Sequence, residues 1–260
     1  MIKIGFIGCG NMGSALIDAT SKVEGAELLI ADADLSKAEA TARRIGGRFG
    51  SNKVVAQGAE VLFLAVKPKV VWSVAREIKA SLRPDTLVVS MAAGIELSIL
   101  DEILDTPVIR IMPNTPVAVG EGMITWVKNA KVSEDDEKRF LRVMKYAGKL
   151  DEVSELTIDA ATAVAGCGPA FVYLFAEALA DGGVQCGLSR DKAMAYAAQT
   201  LRGAAMMLEE SGKHPGQLKD EVCSPGGSTI VGVHALESGA FRATVANAVI
   251  SAYEKTRGLG

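Results

Sequence analysis

The N-terminal segment constrains the fold more than any other part of the chain. Residues 3–7 have the apolar pattern of a buried strand, and the run GCGNMG at positions 8–13 leads directly into a helical pattern. In such a run the first glycine permits a tight turn, the second lets backbone approach a pyrophosphate, and the third lets helix and strand pack closely. The run therefore predicts a dinucleotide-binding turn. Its predicted cofactor contacts are Ile7, Gly8, Cys9, Gly10, Asn11, Met12 and Gly13.

A second strand pattern covers residues 27–31 and ends at Asp32. A carboxylate at that position accepts hydrogen bonds from both hydroxyls of an adenosine ribose, which supports the same site. A 2′-phosphate there would meet a like charge. Asp32 therefore predicts NADH as the preferred cofactor, with NADPH also accepted. The alternative is a glycine-rich turn in an α/β fold that binds no dinucleotide.

Short apolar runs continue to alternate with helical patterns up to about residue 153. The clearest strands cover residues 61–66, 86–90 and 108–112, with helices at residues 70–81 and 96–104. Such alternation builds a parallel, doubly wound sheet. The predicted fold class is α/β, with a Rossmann-type dinucleotide-binding domain over residues 1–153.

Three predicted strand ends carry unusual sequences, at residues 65–68, 91–94 and 112–116. Ligands of doubly wound sheets bind at the carboxyl ends of the strands, so these segments are expected to border the cofactor. Small residues in the second segment would let a nicotinamide ring lie close to backbone, and Lys67 would reach ribose or phosphate oxygens. Ordinary loop geometry is the alternative for each. The predicted contacts are Ala65, Val66, Lys67, Pro68, Ala92, Ala93 and Gly94.

Residues 154–260 show only helical patterns, at about residues 155–181, 190–211, 228–237 and 241–255. Apolar side chains surround much of the first two helices, which is typical of helices buried against other helices. A segment of this size offers little core to cover that surface, so we expect an all-α domain that forms an intertwined dimer. The uncharged stretch 160–176 is short for a membrane span and contains Gly-Cys-Gly-Pro, which predicts a kinked helix that is buried or lies in an interface.

The hexapeptide SPGGST at positions 224–229 precedes one of these helices and resembles a binding turn. Pro225 fixes one dihedral angle, the two glycines let backbone approach a ligand, and free amides at a helix start favour an anion. Thr229 adds a hydroxyl beside that position. An ordinary turn capped by Ser224 or Ser228 is the alternative.

Composition limits the other function classes. The 260-residue chain is 49% hydrophobic with a net charge of −3, so it has ample core and no basic footprint for nucleic acid. Its cysteines and histidines lack metal-ligand spacing, so we expect no metal and reduced thiols. The chain enters its first strand directly, which predicts a cytoplasmic protein without a targeting peptide and without a membrane anchor.

The sequence resembles the pyrroline-5-carboxylate reductase family over essentially its whole length. Four motifs carry the resemblance: residues 65–68, 110–116, 163–171 and 220–242, the last containing SPGGST and GAFR. The resemblance implies reduction of 1-pyrroline-5-carboxylate to L-proline by hydride transfer from NAD(P)H, the last step of proline biosynthesis. It also implies a homodimer with substrate at the subunit junction, and family dimers often assemble further into decamers.

The resemblance also implies roles for individual residues. Thr229 would hydrogen-bond the imine nitrogen, and its hydroxyl is suited to orientation and polarisation rather than to storing a proton. Asn52 would lie near the adenosine end of the cofactor. Glu155 would border the substrate, with capping of its own helix as the alternative. The predicted substrate contacts are Glu155, Ser224, Gly226, Gly227, Ser228 and Thr229.

Two departures and two rival functions bear on this reading. Glu221 stands where several family members place a cofactor-contacting Asn, and Asp32-Ala33-Asp34 replaces the Ser or Arg that receives a 2′-phosphate. A β-hydroxyacid dehydrogenase would need a lysine in its long interdomain helix, but residues 160–180 contain none. A non-catalytic NAD-sensing protein would not need Ser224 and Thr229.

Overall fold

The computed structural model describes residues 1–258, and eight strands in its N-terminal part form one sheet. The order across the sheet is β3-β2-β1-β4-β5-β6-β7-β8. All neighbours from β3 to β6 are parallel, as predicted for a doubly wound sheet. The strands are Ile2–Ile7 (β1), Ala26–Ala31 (β2), Arg48–Phe49 (β3), Val61–Leu64 (β4), Leu87–Ser90 (β5), Val108–Met112 (β6), Gly122–Lys128 (β7) and Gly148–Glu152 (β8).

Helices alternate with these strands and then take over the C-terminal part. The first six are Asn11–Ser21 (α1), Leu35–Ile45 (α2), Asn52–Gly58 (α3), Pro68–Ile78 (α4), Leu97–Ile103 (α5) and Glu134–Met144 (α6). The others are Ile158–Ala161 (α7), Gly168–Gln185 (α8), Arg190–Ser211 (α9), Pro215–Val222 (α10), Ser228–Ser238 (α11) and Phe241–Arg257 (α12). This architecture confirms the predicted Rossmann-type sheet followed by an all-α C-terminal domain.

Both faces of the sheet are covered, which explains why its central strands are continuously apolar. On one face Phe6 and Phe63 stack with ring centroids 4.5 Å apart, in a cluster that includes Leu16 of α1. On the opposite face Leu62 and Leu64 belong to a second cluster that includes side chains of α4 and α5. Because β1, β4 and β5 run parallel within this covered sheet, their carboxyl ends lie at the same edge.

The sheet is mostly parallel, as predicted, but β7 runs antiparallel to β6. β8 then pairs parallel with β7. The chain between β6 and β7 contains only a 3₁₀ turn, Thr115–Val119, followed by Gly120 with φ +79°. A parallel return needs a crossover of a dozen or more residues, usually a helix. This connection is too short for one, so the strand reverses.

The chain divides into two compact units, Met1–Cys167 together with residues from Ala252 onward, and Gly168–Ser251. The boundary predicted after residue 153 lies before this division. The segment between them packs on the sheet: Ile158 is fully buried in its core, and Asn114 Nδ2 donates to the carbonyl of Ala165 at 2.9 Å. The first unit therefore extends through the turn-rich start of the helical region.

In the second unit α8 packs on α9 through small side chains. Ala180, Ala193 and Ala197 form its buried cluster, and Gly183 lets the two helices approach closely. The predicted kink takes the form of a π-helical segment, Thr162–Gly166, just before α8. By length and composition alone the helical stretch Ile158–Gln185 would also suffice to cross a membrane, a criterion that core helices of soluble proteins meet too, and little of this stretch is buried in the single chain.

Candidate active site

The glycine turn after β1 contacts the segment after β4. Gly8 has φ +108°, and a Cβ on it would lie 2.5 Å from the carbonyl oxygen of Ala65. A Cβ on Gly13 would lie 2.4 Å from the carbonyl oxygen of Gly8 and 3.1 Å from the Ala65 Cβ. Only glycine fits these two positions, so the close packing of turn, strand and helix matches the dinucleotide-binding geometry.

Gly10 has a different surrounding. It is the N-cap of α1, no side chain caps that helix start, and a Cβ at Gly10 would meet nothing within 4 Å. Uncapped amides at a helix start attract anions. β1 and β4 are also the neighbouring strands at which the order of the sheet reverses. The open space beside Gly10 therefore fits a pyrophosphate at the switch point of the sheet.

Asp32 lies half-buried at the end of β2 and already has two backbone partners. Its Oδ2 accepts from the amide of Cys9 at 2.6 Å, and its Oδ1 accepts from the amide of Asp34 at 3.0 Å. Each carboxylate oxygen has a further acceptor position, so a ribose diol can still bind. Asp32 thus joins the glycine turn to β2, with its carboxylate at the predicted ribose position.

The neighbouring cations are mostly engaged elsewhere. Arg43 pairs with Glu39 at 2.6 Å, and Arg44 pairs with Asp18. Both contacts direct the guanidinium groups to partners on helices α1 and α2. Two of the three cations that the sequence places near a 2′-phosphate, Arg43 and Arg44, therefore have carboxylate partners, whereas Lys37 is exposed in the first turn of α2.

The predicted nicotinamide side is formed by the ends of β4 and β5. The Met91 amide donates to the Leu64 carbonyl at 3.3 Å, which holds the two strand ends side by side. Ala92 is buried, and Gly94 has φ +75°. Lys67 is the exposed N-cap of α4, Pro68 is its first residue, and Ala65 and Val66 are half-buried.

The SPGGST turn lies in the second unit and opens α11. Gly226 has φ +71°, and the Gly227 amide donates to the Ser224 carbonyl at 3.0 Å. The Ser224 hydroxyl packs so closely on Gly227 that a Cβ there would be 2.4 Å from its Oγ. No side chain caps α11 at its N-cap Gly227, and Ser228 and Thr229 are exposed in its first turn. The structure therefore brings five of the six predicted substrate contacts together, with free amides beside them.

Comparison with known proteins decides the family. A family model for pyrroline-5-carboxylate reductase dimerisation matches residues 155–259, and one for coenzyme F420-dependent NADP oxidoreductases matches residues 3–94. The pyrroline-5-carboxylate reductase of Escherichia coli K12 is 41% identical, with 99% of this chain and 98% of that protein covered. That of Pisum sativum is 42% identical, covering 98% and 95%. The chain belongs to the pyrroline-5-carboxylate reductase family.

Solved structures of the family agree with the fold. The Plasmodium falciparum pyrroline carboxylate reductase with NADP bound superposes with a TM-score of 0.88 at 36% identity, covering 100% of this chain and 98% of that one. The Streptococcus pyogenes 1-pyrroline-5-carboxylate reductase gives a TM-score of 0.89 at 32% identity, covering 99% of both chains. An NAD(P)-type cofactor and a helical dimerisation domain are therefore properties of this family.

Two residues linked to the cofactor by the family resemblance have protein partners. Asn52, the first residue of α3, donates through Nδ2 to Glu77 Oε2 at 2.9 Å. Because a carboxylate only accepts, this bond leaves the Asn52 Oδ1 as the free acceptor. Glu221, which replaces the family Asn, accepts from Lys213 Nζ at 2.7 Å, and that contact holds the pKa of Glu221 below its usual range. Sequence patterns gave no signal for Glu77 or Lys213.

Cys9 is a packing residue in this reductase fold. Its thiol is buried and lies 3.8 Å from the carbonyl oxygen of Ala31. Burial raises the pKa of the Cys9 thiol, and the charge of Asp32 raises it further. A raised pKa lowers the thiolate population, so the Cys9 thiol is not an activated nucleophile. Among residues 1–258 no group of three or more His, Cys, Asp or Glu side chains is arranged to hold a metal ion.

Glu155 lies in the first unit and contacts Arg110. Its Oε1 accepts from Arg110 at 2.7 Å and from the amide of Leu97, the first residue of α5, at 3.1 Å. Asp159 takes the other end of the guanidinium at 2.9 Å. Glu155 therefore caps α5 rather than α7, and its contact with substrate stays a prediction. The single Arg within the apolar strand VIRIM is the sequence signal of this cluster, because a buried guanidinium needs carboxylate partners.

Proposed function

We propose that the protein reduces 1-pyrroline-5-carboxylate to L-proline with NADH or NADPH, the final step of proline biosynthesis. The observation that carries the proposal is the full-length match to pyrroline-5-carboxylate reductases at about 40% identity. The glycine turn with its open helix start and the uncapped turn before α11 supply the two binding environments that this reaction needs.

The first unit binds the cofactor. The α1 amides beside Gly10 hold the pyrophosphate, Asp32 holds the adenosine ribose, and the segments at residues 65–68 and 92–94 border the nicotinamide half. When bound, the reduced nicotinamide supplies the hydride. Ala92 and Gly94 have little or no side chain, so backbone here admits a flat ring at close range. Lys67, exposed at the start of α4, is in reach of ribose or phosphate oxygens.

The turn before α11 binds the substrate carboxylate. The uncapped amides of Ser228 and Thr229 present donors to an anion, Gly226 and Gly227 let backbone approach it without a Cβ, and the helix dipole adds to this preference. Proline and its imine precursor share that carboxylate. Binding through it fixes the ring without contact to the bond that changes.

Thr229 orients the imine. Its hydroxyl hydrogen-bonds the ring nitrogen, and the protonated C=N group accepts a hydride at C5 while the nitrogen keeps the proton. A threonine hydroxyl is too weak an acid to store this proton, so the proton arrives with the substrate or from solvent. Thr229 therefore contributes orientation and polarisation of the reacting bond.

The second unit supports assembly of two chains. An apolar groove of about 1030 Å³ runs along α8, α9 and α12, with Phe171, Phe175 and Tyr196 among its walls. The dimerisation family model covers this region. A second copy of the chain fills the groove in the proposed homodimer, dimers assemble further into decamers, and the substrate site lies at the subunit junction. The enzyme acts in the cytoplasm, where its four free cysteines stay reduced.

A metal-free turnover assay tests the function. The purified protein, treated with a chelator, receives NADH or NADPH and 1-pyrroline-5-carboxylate, and chromatography measures proline. We expect cofactor oxidation and proline formation in equal amounts. Oxidation of cofactor without proline, or turnover only after zinc is added, contradicts the proposal.

A further inference from the structure

Arg110 is buried in the apolar face of the sheet and pairs with two half-buried carboxylates, Glu155 and Asp159. The Arg110 side chain is 1% exposed and sits among residues such as Val108, Met112 and Ile158. A buried guanidinium is costly unless it is paired, and here it has a carboxylate at each end. Its position in β6 is level with Ser90, the last residue of β5. The cluster therefore lies beside the point where β5 gives way to the predicted nicotinamide segment.

The loop formed by residues 91–96 contains that segment, residues 91–94, and is held at both ends by side chains. At its start the Ala92 amide donates to Ser90 Oγ at 3.4 Å. At its far end the Leu97 amide donates to Glu155 Oε1 at 3.1 Å. The N-cap residue of α5, Glu96, makes no side-chain cap, so Glu155 supplies from a distant part of the chain the acceptor that this helix start lacks.

Arg110 fixes the carboxylate that makes this contact. Glu155 Oε1 is shared between the guanidinium and the Leu97 amide, and its Oε2 is buried without a partner in the described part of the chain. Glu155 itself lies in a turn in which the Thr157 amide donates to the Ser154 carbonyl at 3.0 Å. Asp159 accepts from the same guanidinium, and the Leu97 amide donates to Glu155 rather than to Asp159. The two carboxylates thus share one ion-pair partner, and Glu155 also holds Leu97.

We propose that Glu155, held by Arg110, is a positioning residue that fixes the backbone of residues 91–96 for the hydride-transfer geometry. The proposal rests on the proposed function, because the nicotinamide is expected beside Ala92, Ala93 and Gly94. Hydride transfer is sensitive to small displacements of the reacting atoms. Loss of the Glu155 contact therefore lowers kcat while leaving the substrate turn before α11 unchanged.

A matched pair of variants tests the proposal. Glu155→Ala and Asp159→Ala each remove one carboxylate from Arg110, and only the first removes the bond to Leu97. We expect kcat to fall about 10- to 100-fold in Glu155→Ala with KM for 1-pyrroline-5-carboxylate within about 3-fold of wild type. We expect Asp159→Ala to keep kcat within about 3-fold despite a comparable loss of thermal stability. Glu155→Gln, which retains an acceptor oxygen, should recover most of kcat.

Backbone hydrogen exchange supplies a readout that is independent of turnover. Amides of residues 91–97 should exchange at least about 10-fold faster in Glu155→Ala than in Asp159→Ala. Equal kcat losses in the two variants would reduce the cluster to a purely structural role. A raised KM with unchanged exchange would instead place Glu155 on the substrate, and both results overturn the proposal.

Two further arms keep the outcome decisive. If Glu155→Ala does not fold, Glu155→Asp keeps the charge, withdraws the carboxylate by one methylene and should show the same kcat and exchange changes. If wild-type protein does not reduce 1-pyrroline-5-carboxylate, the proposed function fails. The exchange comparison with NADPH bound still decides whether Glu155 fixes residues 91–96.

Discussion

Among single residues, Asp32 combines a structural contact with a predicted role in cofactor choice. Its two oxygens receive the amides of Cys9 and Asp34, so the carboxylate is fixed at the end of β2. A 2′-phosphate about 4 Å away would be repelled by about 4 kcal/mol per charge pair at an effective dielectric of about 20, before screening. Lys37, exposed in the first turn of α2, and Arg43 and Arg44, which pair with surface carboxylates, offset part of this repulsion.

We expect wild type to prefer NADH over NADPH by about 10- to 100-fold in kcat/KM, and Asp32→Ser to shift that ratio towards NADPH. Asp34→Ser is the matched control, because it removes a nearby exposed carboxylate that caps α2. Steady-state kinetics with both cofactors provide the measurement. Equal use of NADPH by wild type, or the same shift in both variants, would exclude Asp32 as the selector.

Thr229 has the proposed role of orienting the imine in the turn before α11. On that proposal, Thr229→Ala should reduce kcat/KM by about 10- to 1000-fold, or about 1.4 to 4 kcal/mol, with cofactor affinity nearly unchanged. Thr229→Ser keeps the hydroxyl and should retain more activity. Normal kcat/KM in Thr229→Ala would show that the hydroxyl serves only the helix start.

At the level of secondary structure, sequence predicted the elements with strong apolar patterns. The strand at residues 108–112 and the helix at residues 190–211 were predicted at their observed bounds, Val108–Met112 and Arg190–Ser211. β8 gave no such signal because most of its side chains are exposed. α10 is short, polar and capped by His214, which accepts from the Gly216 amide at 3.1 Å. Neither β8 nor α10 therefore has a periodic apolar pattern in its sequence.

The candidate site also has a part that the sequence predicts and a part that it does not. The glycine turn, Asp32 and SPGGST were predictable because each is formed by residues that are consecutive or follow directly on a strand. The Arg110 cluster depends on residues far apart in sequence that only the folded sheet brings together. The antiparallel β7 likewise depends on the length of one connection rather than on any apolar pattern.

The junction between α11 and α12 contains the one non-glycine residue with positive φ among residues 1–258, Ala240 at +55°. This conformation costs an L-residue about 1 to 2 kcal/mol, partly offset by the lower entropy of unfolded alanine. Ala240→Gly should therefore stabilise the protein by about 0.5 to 1 kcal/mol. Ala235→Gly, within α11, should destabilise it by about 1 kcal/mol. Thermal unfolding measures the stability of both variants, and a loss of stability in both would show that Ala240 is not strained.

At the scale of the whole molecule, the main feature is the apolar groove of the second unit, which remains exposed to solvent in a single chain. Leu174, in α8, is 68% exposed and lines the groove. Leu174→Glu should convert the proposed dimer into monomers and lower activity, because a charge would be buried in the proposed apolar interface. Leu141→Glu on α6, where Leu141 is 39% exposed, is the control and should leave the oligomeric state of wild type unchanged. Light scattering measures both, and a wild-type monomer that is fully active would contradict the proposed shared site.

Hydride transfer to C5 of a cyclic imine is tested most directly by following deuterium from the cofactor into the product. NADH carrying deuterium at C4 on the transferred face, incubated with the protein and 1-pyrroline-5-carboxylate, should yield proline with one deuterium at C5. Nuclear magnetic resonance locates that label, and Thr229→Ala should form the same product more slowly. Proline without deuterium from either C4-labelled face of the cofactor, or label at another carbon, would contradict the account.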